Sequence, residues 1–172
     1  TLIEQILASH PKIHAKGELP YIHNYFQKKF PFLFSREIKA PNEDYLSSLS
    51  EDLQKEYESK LNYKKFLITD KAPLNFMYLG FLKKIFNAKI ILCTRNRKDN
   101  ILSIFQTFFA NLNYKYSYNL NDLTKYYELY ADLLSFWKIK EIDHLQVKYE
   151  DVVNNKKFEI NRILNYLKIN YD

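Results

Sequence analysis

The chain has 172 residues, 47% of them hydrophobic and 17% aromatic, with 2 Gly and 5 Pro. That is enough apolar surface to bury a core within one domain, and it excludes a disordered, collagenous or repeat-filament chain. The 26 Lys and Arg against 20 Asp and Glu leave a net charge of +6. This charge suits an anionic partner, a nucleotide or a sulfated ligand fitting as well as RNA, without resembling a nucleic-acid-binding tail.

The basic residues are nearly all Lys, with Arg confined to positions 36, 95, 97 and 162. An Arg in a motif position therefore carries more weight than a Lys. The single Cys93 leaves no partner for an internal disulfide and too few thiolates for a zinc cluster, so a reducing, cytoplasmic setting is expected. With no run of about 18 apolar residues and no charged-then-apolar leader, neither a transmembrane segment nor a signal peptide is expected.

In chain order, Leu2, Ile3, Ile6 and Leu7 are spaced for one buried helical face from the outset, as if the chain began inside a fold. His10-Pro11 stops this pattern, Ile13 and His14 alternate as on a short strand, and Gly17 offers a permissive turn before Glu18. Pro20 then opens a helix to about Lys29. The stretch 30–63 is polar and weakly periodic, apart from a helix expected over Ser50–Leu61 with Ser50 as its cap, and reads as an insertion or lid.

From Phe66 onward short apolar runs alternate with amphipathic stretches, the signature of a parallel sheet covered on both faces. Strands are expected over Phe66–Thr69, Ala88–Thr94 and Leu145–Tyr149. Helical faces are expected over Ile101–Phe109, Leu120–Trp137 and Phe158–Leu167. The fold class is α/β.

Ligands of an open α/β sheet bind beyond the carboxyl ends of its strands. Those ends carry Asp70 and Lys71, then Thr94 to Asp99, then Tyr149, Glu150 and Asp151. Arg95 leaves a strand end and Ser103 follows eight residues later in a helix. A guanidinium fork with a hydroxyl makes a plausible phosphate clamp, although the residue types alone favour a solvated loop and a buried Ser. Asp99 is read as the cap of that helix, with Lys98 in reach of a phosphate and Arg97 adding positive field. Glu150 and Asp151 are read as structural, as are His10 and His14.

Four blocks in order carry a stronger signal: T-L-I-E-Q-I-L-A-S-H-P-K-I-H-A-K-G-E-L, I-T-D-K-A-P-L-N-F, C-T-R-N-R-K-D-N-I-L-S and V-K-Y-E-D-V-V. Together they resemble the sulfotransferases that use 3′-phosphoadenosine 5′-phosphosulfate (PAPS), in particular the bacterial group whose sulfotransferase domain follows tetratricopeptide repeats, and the tyrosylprotein sulfotransferases. The resemblance covers residues 1 to 153, with little in 30–63. It implies a P-loop-type three-layer α/β/α domain with a central parallel sheet, and transfer of a sulfuryl group to a hydroxyl acceptor. The charge and the many Tyr and Phe also raise nucleic-acid binding, but the aromatics follow helical and strand periodicity and read as core, so no nucleic-acid partner is expected.

The resemblance also implies roles for individual residues. Arg95 and Ser103 would hold the 3′-phosphate of the nucleotide, and Tyr149 would lie against it, ring and hydroxyl both in use. Glu18 matches the proposed catalytic base. The acceptor hydroxyl must lose its proton as it attacks sulfur, and a carboxylate near that oxygen can take it. Lys71 matches a lysine beside the sulfuryl group, where a fixed cation offsets charge on the departing phosphate and no metal is required. Without the resemblance, Glu18 reads first as a helix N-terminal Glu, while a surface lysine for Lys71 and a core tyrosine for Tyr149 stay open.

Two features depart from the family pattern. Its 5′-phosphosulfate loop reads P-R-S-G-T-T-L, and here the last two letters stand as Thr1-Leu2. Thr1 would touch the 5′ side. The family also continues past the last helix into a segment that returns over the nucleotide. The domain therefore reads as incomplete at both ends, an excerpt of a longer protein. A P-loop kinase-like phosphotransferase and a noncatalytic nucleotide- or sulfated-ligand-binding module of the same fold are the alternatives.

Overall fold

The computed structural model describes residues 2–30, 43–61, 67–110 and 112–170. Thr1, Phe66 and parts of the 30–63 stretch lie outside them. The residues up to Ala88 form one compact unit and those from Lys89 form another.

The first unit runs α1 (Leu2–Ala8), β1 (Ile13–Ala15), α2 (Tyr21–Lys29), α3 (Glu43–Leu61), β2 (Leu67–Thr69), a 3-10 turn (Pro73–Tyr78) and α4 (Leu79–Phe86). β1 and β2 pair in parallel, with Ile13 opposite Leu67 and Ala15 opposite Thr69. Parallel strands need a long crossover, and α2 and α3 supply it.

α2 buries Ile22, Tyr25 and Phe26, and α3 buries Leu53, Tyr57 and Leu61, the spacings that put side chains on one helical face. Phe26 anchors this core. Its ring stacks on Tyr78 at 4.4 Å and meets Phe81 edge-on at 4.8 Å. Truncating such a residue to Ala typically costs about 3–5 kcal/mol. α3 begins seven residues before the expected cap. Ser50 lies inside the helix and donates to the Ser47 carbonyl at 2.7 Å, which is how a helical hydroxyl satisfies itself without capping.

α4 had no place among the expected helices. It starts after the Pro73 turn and ends at Asn87, which takes a left-handed backbone (φ 46°) suited to a helix stop.

The second unit runs β3 (Ile91–Thr94), α5 (Arg97–Phe105), a 3-10 segment (Leu112–Tyr118), α6 (Leu120–Ile139), β4 (Leu145–Lys148), α7 (Tyr149–Asn154) and α8 (Lys156–Leu167). β3 and β4 pair in parallel, from Ile91 opposite Leu145 to Thr94 opposite Lys148. Val147, Leu123, Val152 and Ile163 form the most deeply buried core here. Glu159 is buried beside them and is matched by Arg162, which reaches it at 2.6 Å and also donates to the Gln146 carbonyl at 2.8 Å, tying α8 to β4. A buried carboxylate needs such a partner.

The observed class is mixed helix and strand with short parallel pairing. Where one central sheet was expected, the described residues form two separate two-stranded parallel sheets. The strands have three or four residues each, at the short end of the usual range. α5 stops at Phe105, short of the expected face: Thr107 folds back to donate to the Ser103 carbonyl at 2.7 Å, and the Tyr118 hydroxyl bonds both the amide and the carbonyl of Phe109. Tyr149 does not end a strand but opens α7.

Candidate functional site

In the first unit the chain leaves β1 through Gly17, whose φ of 69° is a conformation that a side chain would strain. Glu18 follows directly. The chain leaves β2 through Asp70 and Lys71, so parallel pairing brings both exits to the same end. The Lys71 ammonium meets Glu18 Oε1 at 2.9 Å, with 29% and 54% of the two side chains exposed. The two residues that sequence reasoning named for chemistry in this unit are therefore in direct contact.

Two carboxylates hold these exits: Glu4, which sequence reasoning did not single out, and Asp70, which it named as a strand-end residue without a role. Glu4 on α1 accepts the Gly17 amide at 3.0 Å and the Thr69 hydroxyl at 2.8 Å. Asp70 accepts the Leu19 amide at 3.3 Å and the Ala72 amide at 3.0 Å through Oδ1, and the Tyr57 hydroxyl at 2.5 Å through Oδ2. The Lys71 amide also donates to the Gly17 carbonyl at 2.9 Å. His10 serves the turn before β1, its Nδ1 accepting the Lys12 amide at 3.1 Å, and His14 lies within β1.

In the second unit Arg95 follows β3 and Tyr149 follows β4. The guanidinium carbon of Arg95 stands 5.2 Å from the Tyr149 ring centre, within cation–π range, and both side chains are exposed. Glu150 accepts the Asn96 amide at 2.9 Å, so the two strand exits are stitched together. That bond, seconded by its own amide and by Arg95 and Lys148, holds the Glu150 carboxyl below its usual value.

The cap of α5 is Asn96, which accepts the Lys98 and Asp99 amides, and not Asp99, which lies in the first turn. Both types cap well, but the chain turns into the helix one residue after Arg95, and that places Asn96 at the cap. Ser103 lies almost two turns along α5, exposed, on the face that begins at Asn96. Arg97 turns to α6, 5.1 Å from the Tyr127 ring and 3.6 Å from Glu128.

A shallow hollow of about 530 Å³, lined by Asn154, Asn155, Lys156, Lys157, Phe158 and Asn161, lies at the junction of α7 and α8 and includes none of these residues. Among the described residues no three His, Cys, Asp or Glu gather as a metal site, and no helix is long and apolar enough to cross a membrane.

Comparison with known proteins adds the chemistry. The model of the sulfotransferase family matches residues 1–172. An uncharacterized protein of Aquifex aeolicus (strain VF5) is 32% identical over 119 residues, a match that covers 64% of this chain and 16% of that protein.

Proposed function

From the premise that the chain belongs to the sulfotransferase family, we propose that it transfers the sulfuryl group of PAPS to a hydroxyl-bearing acceptor. Within the family the four sequence blocks favour the tetratricopeptide-linked bacterial group and the tyrosylprotein sulfotransferases. Residues 1–172 are read as part of one sulfotransferase domain, with 30–63 as a lid that selects the acceptor.

The observation that carries this reading is the Glu18–Lys71 pair at the exits of two parallel strands. Glu18 takes the proton of the acceptor hydroxyl as that oxygen bonds to sulfur. The bond between sulfur and the bridging phosphate oxygen breaks, and its electron pair leaves on 3′-phosphoadenosine 5′-phosphate (PAP). Lys71 offsets that charge. In-line transfer of this kind depends on placement and electrostatics, and the contact brings base and cation side by side.

Arg95, Ser103 and Tyr149 are read as the nucleotide grip, and Thr1 as a contact on the 5′ side. The fit rests on Arg95, an exposed fixed cation seated on an aromatic ring at a strand exit. A 3′-phosphate can take the guanidinium fork while a sugar or base packs on the ring.

The test is transfer of labelled sulfate by the full-length protein together with calorimetric titration of PAP. Saturable PAP binding and label transfer from PAPS are expected. Binding without transfer to any hydroxyl acceptor would favour a noncatalytic module, and phosphoryl transfer from ATP without PAP binding would favour the kinase-like alternative.

A further inference from the structure

We propose that Asp70 is a positioning residue that sets the Glu18–Lys71 geometry through the backbone on both sides of the pair, with Tyr57 orienting its carboxylate. The proposal rests on the reading of Glu18 as base and Lys71 as cation. Three donors converge on Asp70. Oδ1 takes the amide of Leu19, the residue after Glu18, and the amide of Ala72, the residue after Lys71; Oδ2 takes the hydroxyl of Tyr57. One carboxylate thus clamps the two exits at the residues next to the reacting side chains.

The ion pair would hold this geometry poorly by itself. More than half of the Glu18 side chain is exposed, and exposed pairs on flexible stems contribute little order. Backbone amides donating to a carboxylate are charge-assisted and carry no side-chain freedom. Lys71 joins in from its own backbone, donating to the Gly17 carbonyl on the other side of Glu18. Tyr57 adds a link of another kind. It stands on α3, in the stretch read as the lid, and is buried at 8% exposure. Its hydroxyl therefore connects the seating of α3 to the loop that carries Lys71.

The test compares Asp70→Ala, Asp70→Asn, Tyr57→Phe and Glu18→Gln in the full-length protein, measuring turnover, PAP affinity, melting temperature and hydrogen exchange at the Leu19 and Ala72 amides. Displacement of reacting groups by about 1 Å can cost roughly 100-fold. Asp70→Ala is expected to lower kcat about 10- to 100-fold with PAP affinity within about twofold, and to speed exchange at both amides. Asp70→Asn keeps an Oδ1 acceptor and recovers most of the turnover. Tyr57→Phe loses turnover in the same direction by a few-fold.

A folded Asp70→Ala with parental kcat, beside an inactive Glu18→Gln, overturns the positioning role and leaves the base in place. Parental turnover in Glu18→Gln overturns the reading of the site instead, and unchanged exchange at Leu19 and Ala72 in Asp70→Ala then removes the clamp as well. If Asp70→Ala does not fold, parental kcat in Tyr57→Phe together with failure of Asp70→Asn to retain activity overturns the proposal.

Discussion

The guanidinium of Arg95 rests against the ring of Tyr149 at 5.2 Å, so the residues that follow the two paired strands of the second unit touch each other. The contact orients Arg95 without using its donors, which leaves the fork free to meet a phosphate. Arg95→Ala is expected to weaken PAP binding about 10- to 100-fold, the loss of charge-assisted hydrogen bonds. Tyr149→Ala should cost a few-fold, on the scale of an exposed cation–π contact, and Tyr149→Phe, which keeps the ring, less still. Calorimetric titration of PAP checks all three. An Arg95→Ala protein that binds like the parent removes Arg95 from the nucleotide grip.

Glu18 and Lys71 meet at 2.9 Å, with more than half of the Glu18 side chain and under a third of the Lys71 side chain in solvent. Such a pair adds about 0–1 kcal/mol to stability, so its removal should separate chemistry from folding. Glu18→Gln is expected to lower kcat by about 10²- to 10⁴-fold, the usual worth of a general base, while the melting temperature stays near the parental value. Lys71→Ala should also lower kcat. Label-transfer rates and thermal melts on the same preparations distinguish this from a site lost through unfolding.

The parts of this arrangement legible in the sequence were those with local signals. The apolar run A-K-I-I-L-C-T announces β3, and strand exits direct attention to Lys71, Arg95 and Tyr149 whatever the final sheet looks like. Glu4 had no such signal, and Asp70, although it stands at the same strand exit as Lys71, had none for its role as a clamp. The donors that tie the two exits lie 13 and 51 residues away in Gly17 and Leu19, and nothing in the spelling of a carboxylate reveals a remote amide. Asp99 is a good capping type, but so is Asn96 three residues earlier, and the entry of the chain into the helix decides for Asn96. Tyr149 closes the strand expected over Leu145–Tyr149 but opens α7. Glu150 and Asp151 after it favour a helix N-terminus, a signal that local reading under-weighted. The expected single sheet became two pairs because strand count depends on packing between elements, which periodicity along the chain does not report.

Glu150 offers a pH test of the stitch between the two exits. The Asn96 amide donating to its carboxylate, with smaller help from its own amide, Arg95 and Lys148, holds it below the ordinary value of 4.5. A carboxyl depressed in the folded state stabilises above the unfolded value, and that stabilisation fades as pH falls through the folded value. The melting temperature of the parent should therefore exceed that of Glu150→Gln at neutral pH, and the gap should shrink on the acid side of 4.5. A gap that does not change with pH assigns the effect to shape and not to charge.

The buried phenols set the opposite limit. Burial pushes Tyr78 and Tyr130 up to about 12 from the usual 10, and raises Tyr116 and Tyr126 as well. A phenol whose folded value lies above its unfolded one contributes fully below pH 10, and its contribution is lost as pH climbs toward the folded value, because unfolding then releases a proton that the native state retains. The contribution of these phenols should accordingly be flat below pH 10 and fall between 10 and about 12. Tyr78→Phe removes one such proton. It also removes the hydroxyl that stands 2.9 Å from the His23 ring nitrogen, so it should lower stability at neutral pH while making the alkaline decline shallower. Phenolate absorbance followed alongside circular dichroism decides the matter: the buried phenols should ionise together with loss of structure, and ionisation near pH 10 in a still-folded chain would show that the Phe26–Tyr78 stack does not shield the hydroxyl.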